Sequence, residues 1–259
     1  MQLTNTLYRV PRRSGLQLLH KRGPDQAREL TGWRLRLEPG ASATYHSDDE
    51  ETVLVLQDGA GRMETPGGSW DVSRKNVFDQ RASAIYLPPR TELKVTAREP
   101  LEAVLISTPA EGGGKPGLVG PDQVKVAARG KSIYAREIHD IFVDDPYTRR
   151  LIVGETFNPA GNWSSYPPHK HDGGNGEPRL EEVYHFRVDH PQGFGYHTIY
   201  TSQGESVTHA VRDGDTVLIP YGYHPVAAAP GYRVYYLWAL SGEVHRLALY
   251  MDPEHIWLQ

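Results

Sequence analysis

Two stretches of the chain concentrate residues able to hold a metal ion. The first is Gly161-Asn-Trp-Ser-Ser-Tyr-Pro-Pro-His169-Lys-His171-Asp172. His169 and His171 are two apart, and side chains at i and i+2 of a strand point to the same face. Two imidazoles on one face bind one ion at about 2.0–2.1 Å each. Pro167 and Pro168 stiffen the approach and preorganise the pair. The second stretch, Gly214-Asp-Thr-Val-Leu-Ile-Pro220-Tyr-Gly222-Tyr-His224-Pro225, reads as turn, buried strand, turn, then a histidine where the next strand begins. Between them, Glu181 and Glu182 open a further strand. Three histidines and one carboxylate suit Zn, Mn, Fe, Co or Ni, with positions left open for substrate or water.

Parity separates the two glutamates. Tyr184, Phe186 and Val188 alternate with His185, Arg187 and Asp189, and the apolar set should face a barrel interior. Glu182 shares that face, whereas Glu181 goes with Val183, His185 and Arg187 on what reads as the outer side. Glu182 is therefore favoured over Glu181. Glu177, in a Gly-rich loop, comes third. Lys170 should point away from the two histidines that flank it. His185, His190, His197, His209 and His245 lack partners at useful spacing and read as polar strand or loop residues.

The elements that must position these groups read as short strands. The 259 residues hold 26 Gly, 20 Pro and 15 Tyr but only 3 Met. Frequent punctuation with many aromatics suits strands and turns rather than long helices. Residues 33–37 alternate, 52–56 form a buried run closed by a turn at Asp58-Gly59, and 84–87 end at Pro88-Pro89. Strands are expected again at 132–136, 151–156, 183–188, 196–200, 207–211, 216–219 and 232–239. Asp252-Pro253-Glu254 can start a short terminal helix. The strongest linker signal is Glu111-Gly-Gly-Gly-Lys-Pro-Gly117. The chain thus divides near residues 111–125 into two β-domains, 1–115 and 116–259, each a sandwich or barrel. Glu50-Glu51-Thr52-Val53 echoes Glu181-Glu182-Val183-Tyr184, as a duplication would. In the first half His46 has only Thr44 two residues before it, so that half should be metal-free.

Composition excludes several functions. There is no cysteine, which removes disulfides, thiolate catalysis and Cys-held zinc or iron–sulfur sites. The net charge of −4 and the lack of a basic region argue against nucleic acid. No apolar run nears the roughly 20 residues of a membrane span. The first residues lack a signal-peptide pattern, and the absence of cysteine fits the cytoplasmic address that is expected.

The His-X-His, Glu, Pro-X-Gly-X-His order resembles the two motifs of the cupin barrels, which are double-stranded β-helix (jelly-roll) domains. More closely, residues 161–172, 180–186, 193–200 and 220–242 resemble the 5-deoxy-glucuronate isomerase family of inositol catabolism, all-β proteins of two tandem cupin barrels. The uronate ketol-isomerases of pectin breakdown are similar in plan, with the ligand Glu directly before Val-Tyr, as Glu182 stands before Val183-Tyr184. Two spacings differ from cupins at large. Residues 172–181 are inserted between the second His and the Glu, and only Tyr223 separates Gly222 from His224.

The resemblance implies a ligand set of His169, His171, Glu182 and His224 for one divalent metal, Zn, Mn or Fe. It also implies an aldose–ketose isomerisation of 5-deoxy-D-glucuronate to 2-deoxy-5-keto-D-gluconate. The expected partners are a small-molecule sugar acid and further copies of the chain, a homo-oligomer, with no nucleic acid and no membrane. Tyr184, Tyr196, Tyr221 and Tyr236 are candidates to line the pocket. Arg179 and Arg233 are the remaining candidates for the substrate carboxylate, since Arg187 falls on the outward face. The sequence names no catalytic base. Two other classes share the motif: an Fe(II) cupin dioxygenase and a non-enzymatic sugar-acid-binding cupin.

Overall fold

The computed structural model describes residues 2–24 and 26–258. Alternating apolar residues and closely spaced turns build two β-sandwiches, each with a larger and a smaller sheet. The larger N-terminal sheet runs in the order Gly117–Val119, Ala84–Leu87, Glu50–Thr65, Leu101–Pro109, Thr31–Leu37, Gly15–His20. The smaller one joins Ser42–His46 and Glu92–Ala97 to the far end of Glu50–Thr65, with Gly68–Arg74 on its other side. Asp58-Gly59 is not the hairpin turn expected there. The strand continues through it, with its register shifted between Leu56 and Asp58 and with Gly59 at φ +89. A glycine at positive φ bends the strand without ending it, so one strand serves both sheets. Leu35, Leu54, Met63, Ile85 and Leu105 fill this interior.

The C-terminal half repeats the plan. Its larger sheet runs Leu7–Tyr8, Thr216–Ile219, Leu180–Val188, Val234–Gly242, Ile152–Asn158, Arg136–Phe142, Lys125–Arg129. Its smaller sheet runs Trp163–Ser164, Val226–Ala228, Gly195–Tyr200, Ser206–Val211. Tyr184, Phe186, Ile199, Val217 and Tyr236 fill the interior. Both halves are jelly-roll barrels of the cupin kind.

The two larger sheets also share one apolar cluster, with Val53, Val55, Tyr86, Val104 and Ile106 from one half and Val153, Val183, Leu218, Leu237 and Ala239 from the other. The sheets therefore lie back to back, and their central strands are buried on both faces. That corrects the reading of Val183, His185 and Arg187 as an outer face. Their side of the strand is the join between the barrels, where Arg187 meets Asp213 at 2.7 Å and Asp58 at 3.5 Å.

Each half lends an edge strand to the other's sheet. Leu7–Tyr8 pairs with Thr216–Ile219, and Gly117–Val119, past the boundary expected at 115/116, pairs with Ala84–Leu87. Two further expectations shift. Residues 132–134 form a 3₁₀ turn, with the strand starting at Arg136. The terminal helix is a 3₁₀ turn at Ile256–Leu258, after Asp252 accepts the Glu254 N–H at 3.0 Å. Among the described residues, no helix is long and apolar enough to cross a membrane.

Candidate metal centre

Three elements of the C-terminal barrel bring the motif residues together. His169 sits in the two-residue strand His169–Lys170, which pairs with Tyr250–Met251. His171 follows, and its carbonyl accepts the Leu180 N–H at 2.7 Å. The inserted Gly-rich segment is thus an excursion closed at its base, with Asp172 bridged to Arg179. Closing it sets His171 beside the head of the Leu180–Val188 strand. Glu182 points inward there with Tyr184, Phe186 and Val188, as parity requires, and it is buried.

His224 arrives on the turn after Thr216–Ile219. Gly222 has φ +91, and a Cβ there would stand 2.7 Å from the Tyr200 carbonyl oxygen, so only glycine fits. Its carbonyl faces His224 Nδ1 at 2.9 Å, and its N–H donates to Asp172 at 3.0 Å. Donor atoms of His169, His171 and His224 lie within 4.8 Å of one another.

The hydrogen bonds show what the cluster can hold. His171 Nδ1 faces the Leu180 carbonyl at 2.9 Å, as His224 Nδ1 faces that of Gly222. A carbonyl only accepts, so each Nδ1 carries the proton and each Nε2 keeps its lone pair. Both Nε2 atoms converge on one oxygen of Glu182, at 3.0 Å from His171 and 3.2 Å from His224. Acceptors facing acceptors repel unless a cation lies among them. Without a metal the cation is a proton. Burial alone would lower the pKa of His171, but the hydrogen bond and charge of Glu182 outweigh it and raise it. Burial pushes Glu182 up, yet His171 and His224 hold its carboxyl at about 2. Burial, with His224 and His171 nearby, holds His169 well below the usual imidazole range and hence neutral. His224 Nε2 is buried without a hydrogen-bond partner among the described residues. Three imidazoles, one with a buried ring nitrogen that has no hydrogen-bond partner among the described residues, beside an ionised carboxylate fit a divalent first-row ion. The carbonyls behind them supply the second-shell bonds such ligands require.

His169, His171 and Glu182 border a cavity of about 690 Å³. Tyr184 and Tyr236 border it and stack with ring centroids 4.3 Å apart. Ser165 Oγ lies 3.1 Å from the Tyr184 hydroxyl and 3.3 Å from that of Tyr236, and Tyr236 donates to Ser164 at 3.0 Å. Burial raises both phenols above their ordinary pKa, so they present O–H donors.

The other candidates lie elsewhere. Glu181 turns to the join between the barrels and accepts the N–H groups of Arg28, Glu29 and Leu30 at 2.7–3.1 Å. Glu177 pairs with Lys170 at 3.1 Å, and that lysine points away from the histidines as expected. Tyr196 is 48% exposed. Tyr221 donates to Glu205 at 3.0 Å, outside the cavity. Arg233 pairs with Asp189 at 2.9 Å and stacks over Phe78. Arg179 does not border the cavity. None of these four reaches the cluster.

Two residues escaped the sequence reading. His197, read as a polar strand residue, is buried and stacks on Tyr184 at 5.1 Å. Its alternation with the apolar Ile199 was the available signal. Arg136 borders the cavity on a strand whose period lay hidden behind the 132–134 turn.

Comparison with known proteins follows the same lines. A model of the KduI/IolB family matches residues 7–258. The chain is 36% identical over 228 residues to a 5-deoxy-glucuronate isomerase of Geobacillus kaustophilus, covering 86% of this chain and 83% of the relative. The crystal structure of an IolB-like protein from Salmonella typhimurium superposes with a TM-score of 0.92 at 34% identity, covering 98% of this chain and 99% of the other. The oxalate decarboxylase of Lactobacillus farciminis shares the fold, with a TM-score of 0.65 at 13% identity over 97% of this chain and 87% of its own.

Proposed function

The chain belongs to the KduI/IolB family, and from that membership we propose that it is a metal-dependent aldose–ketose isomerase. Its substrate is 5-deoxy-D-glucuronate, converted to 2-deoxy-5-keto-D-gluconate in inositol catabolism. The observation that carries the reading is the convergence of His169, His171, His224 and Glu182 beside a cavity roomy enough for a sugar acid, in a chain 36% identical to a 5-deoxy-glucuronate isomerase.

His169, His171, Glu182 and His224 would hold one divalent ion, Zn, Mn or Fe. When bound, that ion supplies Lewis-acid polarisation of the substrate carbonyl and its neighbouring hydroxyl. The chain's own residues supply the rest. The Leu180 and Gly222 carbonyls fix the imidazole tautomers. Tyr184, beside Ser165, would offer a neutral hydroxyl to a sugar oxygen, while Tyr236 gives its O–H to Ser164 and keeps its oxygen as an acceptor. The apolar walls, among them Trp238, Leu240 and Met251, exclude water from the reacting carbons.

The experiment is conversion of 5-deoxy-D-glucuronate by metal-loaded protein, followed by NMR in D₂O. Deuterium at the new hydroxymethyl carbon marks proton transfer through an enediol, and its absence marks a hydride shift. No conversion, together with metal-dependent oxygen uptake, would transfer the chain to the cupin dioxygenases.

A further inference from the structure

A uronate brings a carboxylate into the cavity, and neither arginine expected from the sequence is there to meet it. Arg136 and Arg129 are. The strands Lys125–Arg129 and Arg136–Phe142 form a hairpin in which Arg129 and Arg136 are direct partners. Ala127 and Arg129 on one strand, with Arg136, Ile138 and Asp140 on the other, all border the cavity. Their spacing of two puts them on one face of the hairpin.

Like charges directly opposite each other in a sheet are destabilising. One opposite charge on the same face, Asp140, interacts with Arg129 at longer range. Among the described residues neither arginine forms an ion pair. Arg136 is half-buried, and its Nη1 is spent on the carbonyls of Tyr134 at 3.1 Å and Tyr166 at 2.9 Å. Those bonds fix the guanidinium plane, while Nε and Nη2 have no protein acceptor among the described residues. Burial and the neighbouring Arg129 disfavour the charge, and against them stand only the tyrosines Tyr236, Tyr184 and Tyr134 among the largest influences. Asp140 is the carboxylate on this wall, and it is itself partly desolvated. An anchored guanidinium with free donors facing a cavity is a receptor for a planar anion.

We propose that Arg136 binds the carboxylate of the sugar acid, with Arg129 adding positive charge beside it. The identity of the anion rests on the isomerase reading; the cation pair does not. The proposed metal and Arg136, which face the same cavity, would then hold the sugar acid at two points, its carbonyl at the metal and its carboxylate at the guanidinium.

The test uses the metal-loaded full chain and two sugars, 5-deoxy-D-glucuronate and the same sugar with its carboxylate reduced to hydroxymethyl. Arg136→Gln should lower kcat/KM for the uronate by about 10–100-fold, chiefly through KM, and change the alcohol by less than about threefold. Arg136→Lys keeps the charge without the fork and should fall between. Arg129→Gln should raise the uronate KM by about 2–5-fold, as for an exposed charge. Parallel losses on both sugars would mean that Arg136 only braces the 134 and 166 carbonyls, and would overturn the proposal, as would an unchanged uronate KM. If Arg136→Gln does not fold, by thermal unfolding and metal content, Arg136→Lys decides: a reduced preference for uronate over alcohol supports the proposal and an unchanged one overturns it. Calorimetric titration with D-gluconate separates this from the isomerase reading. If the native chain converts neither sugar, that reading fails. Weaker gluconate binding by the Arg136 variant then still supports the anion site, and equal or absent binding by both proteins removes it.

Discussion

Glu51 and Glu181 perform the same task in opposite directions. Glu51 of the N-terminal barrel accepts the N–H groups of Arg149, Arg150 and Leu151 at 2.7–2.9 Å. Glu181 of the C-terminal barrel accepts those of Arg28, Glu29 and Leu30. Their strand partners, Thr108 and Ser241, meet at the centre with hydroxyls 2.9 Å apart. The barrels are thus related about a local two-fold axis, and the relation corrects the sequence echo by one residue. Glu51 matches Glu181, so Thr52 stands where Glu182 stands. Thr52 is hydrogen-bonded to Tyr45 at 3.1 Å, a neutral pair.

Glu181→Gln and Glu51→Gln should each lower the free energy of unfolding by about 2–4 kcal/mol, because a buried amide cannot replace a carboxylate that accepts three N–H groups. Metal content should stay the same in both. Urea unfolding with elemental analysis checks this. Loss of metal from Glu181→Gln alone would move the carboxylate ligand to that residue.

Glu182→Gln should keep the fold and weaken metal binding by more than about 10–100-fold, since even second-shell losses cost that much. Isomerase activity should go with the metal. Competition against a graded chelator gives the affinity. A variant that retains its metal fully would remove Glu182 from the proposed set.

His20 should make the fold sensitive to mild acid. It is buried, both ring nitrogens lack partners among the described residues, and burial lowers its pKa to about 4. In the unfolded chain the ring titrates near 6.5, so below that pH the unfolded state binds more protons. Stability is full above about 6.5 and falls as the pH drops to 4, by about 3 kcal/mol for a shift of this size. His20→Phe should leave the melting temperature at pH 8 nearly unchanged and flatten its decline between pH 6.5 and 4. Equal declines in the variant and the native chain would refute this.

Arg74 and Glu155 form a wholly buried pair that joins the barrels, at 2.7 and 3.0 Å, with the Tyr235 hydroxyl also donating to Glu155 at 2.7 Å. Arg74→Met leaves Glu155 charged and unpaired, and should cost about 3–5 kcal/mol. Adding Glu155→Leu should restore most of that. A double variant as unstable as the single one would show that packing, not charge, sets the cost.

Much of the candidate site's geometry was legible because it is local. Spacing of two placed His169 with His171, and parity along one strand separated Glu182 from Glu181. The Pro-X-Gly-X-His turn carried its own glycine signature. What was not legible depends on the partner surface. Val183, His185 and Arg187 alternate as an outer face would, but no pattern within one strand reveals a second sheet behind it. The same holds for Arg233, whose partner Asp189 is 44 residues away. Tyr196 and Tyr221 were named for their hydroxyls, and the face each takes is set by its neighbours: His197 and Ile199 turn inward, so Tyr196 turns out. Arg136 lay behind a 3₁₀ turn that breaks the strand period just before it.

His169 is held by the chain's own tail. Among the described residues its two-residue strand pairs only with Tyr250–Met251, and the Asp252 N–H reaches the Pro168 carbonyl at 2.8 Å. Beyond that, Leu258 accepts from the Tyr134 hydroxyl at 2.8 Å, and Leu247, Leu249 and Met251 border the cavity. A ladder this short opens at far lower free energy than the barrel unfolds. His171, His224 and Glu182 sit on longer strands and turns of the barrel. Opening of the tail would free His169 alone. The proposed ion could therefore be released through the tail, one ligand first, with the barrel still folded.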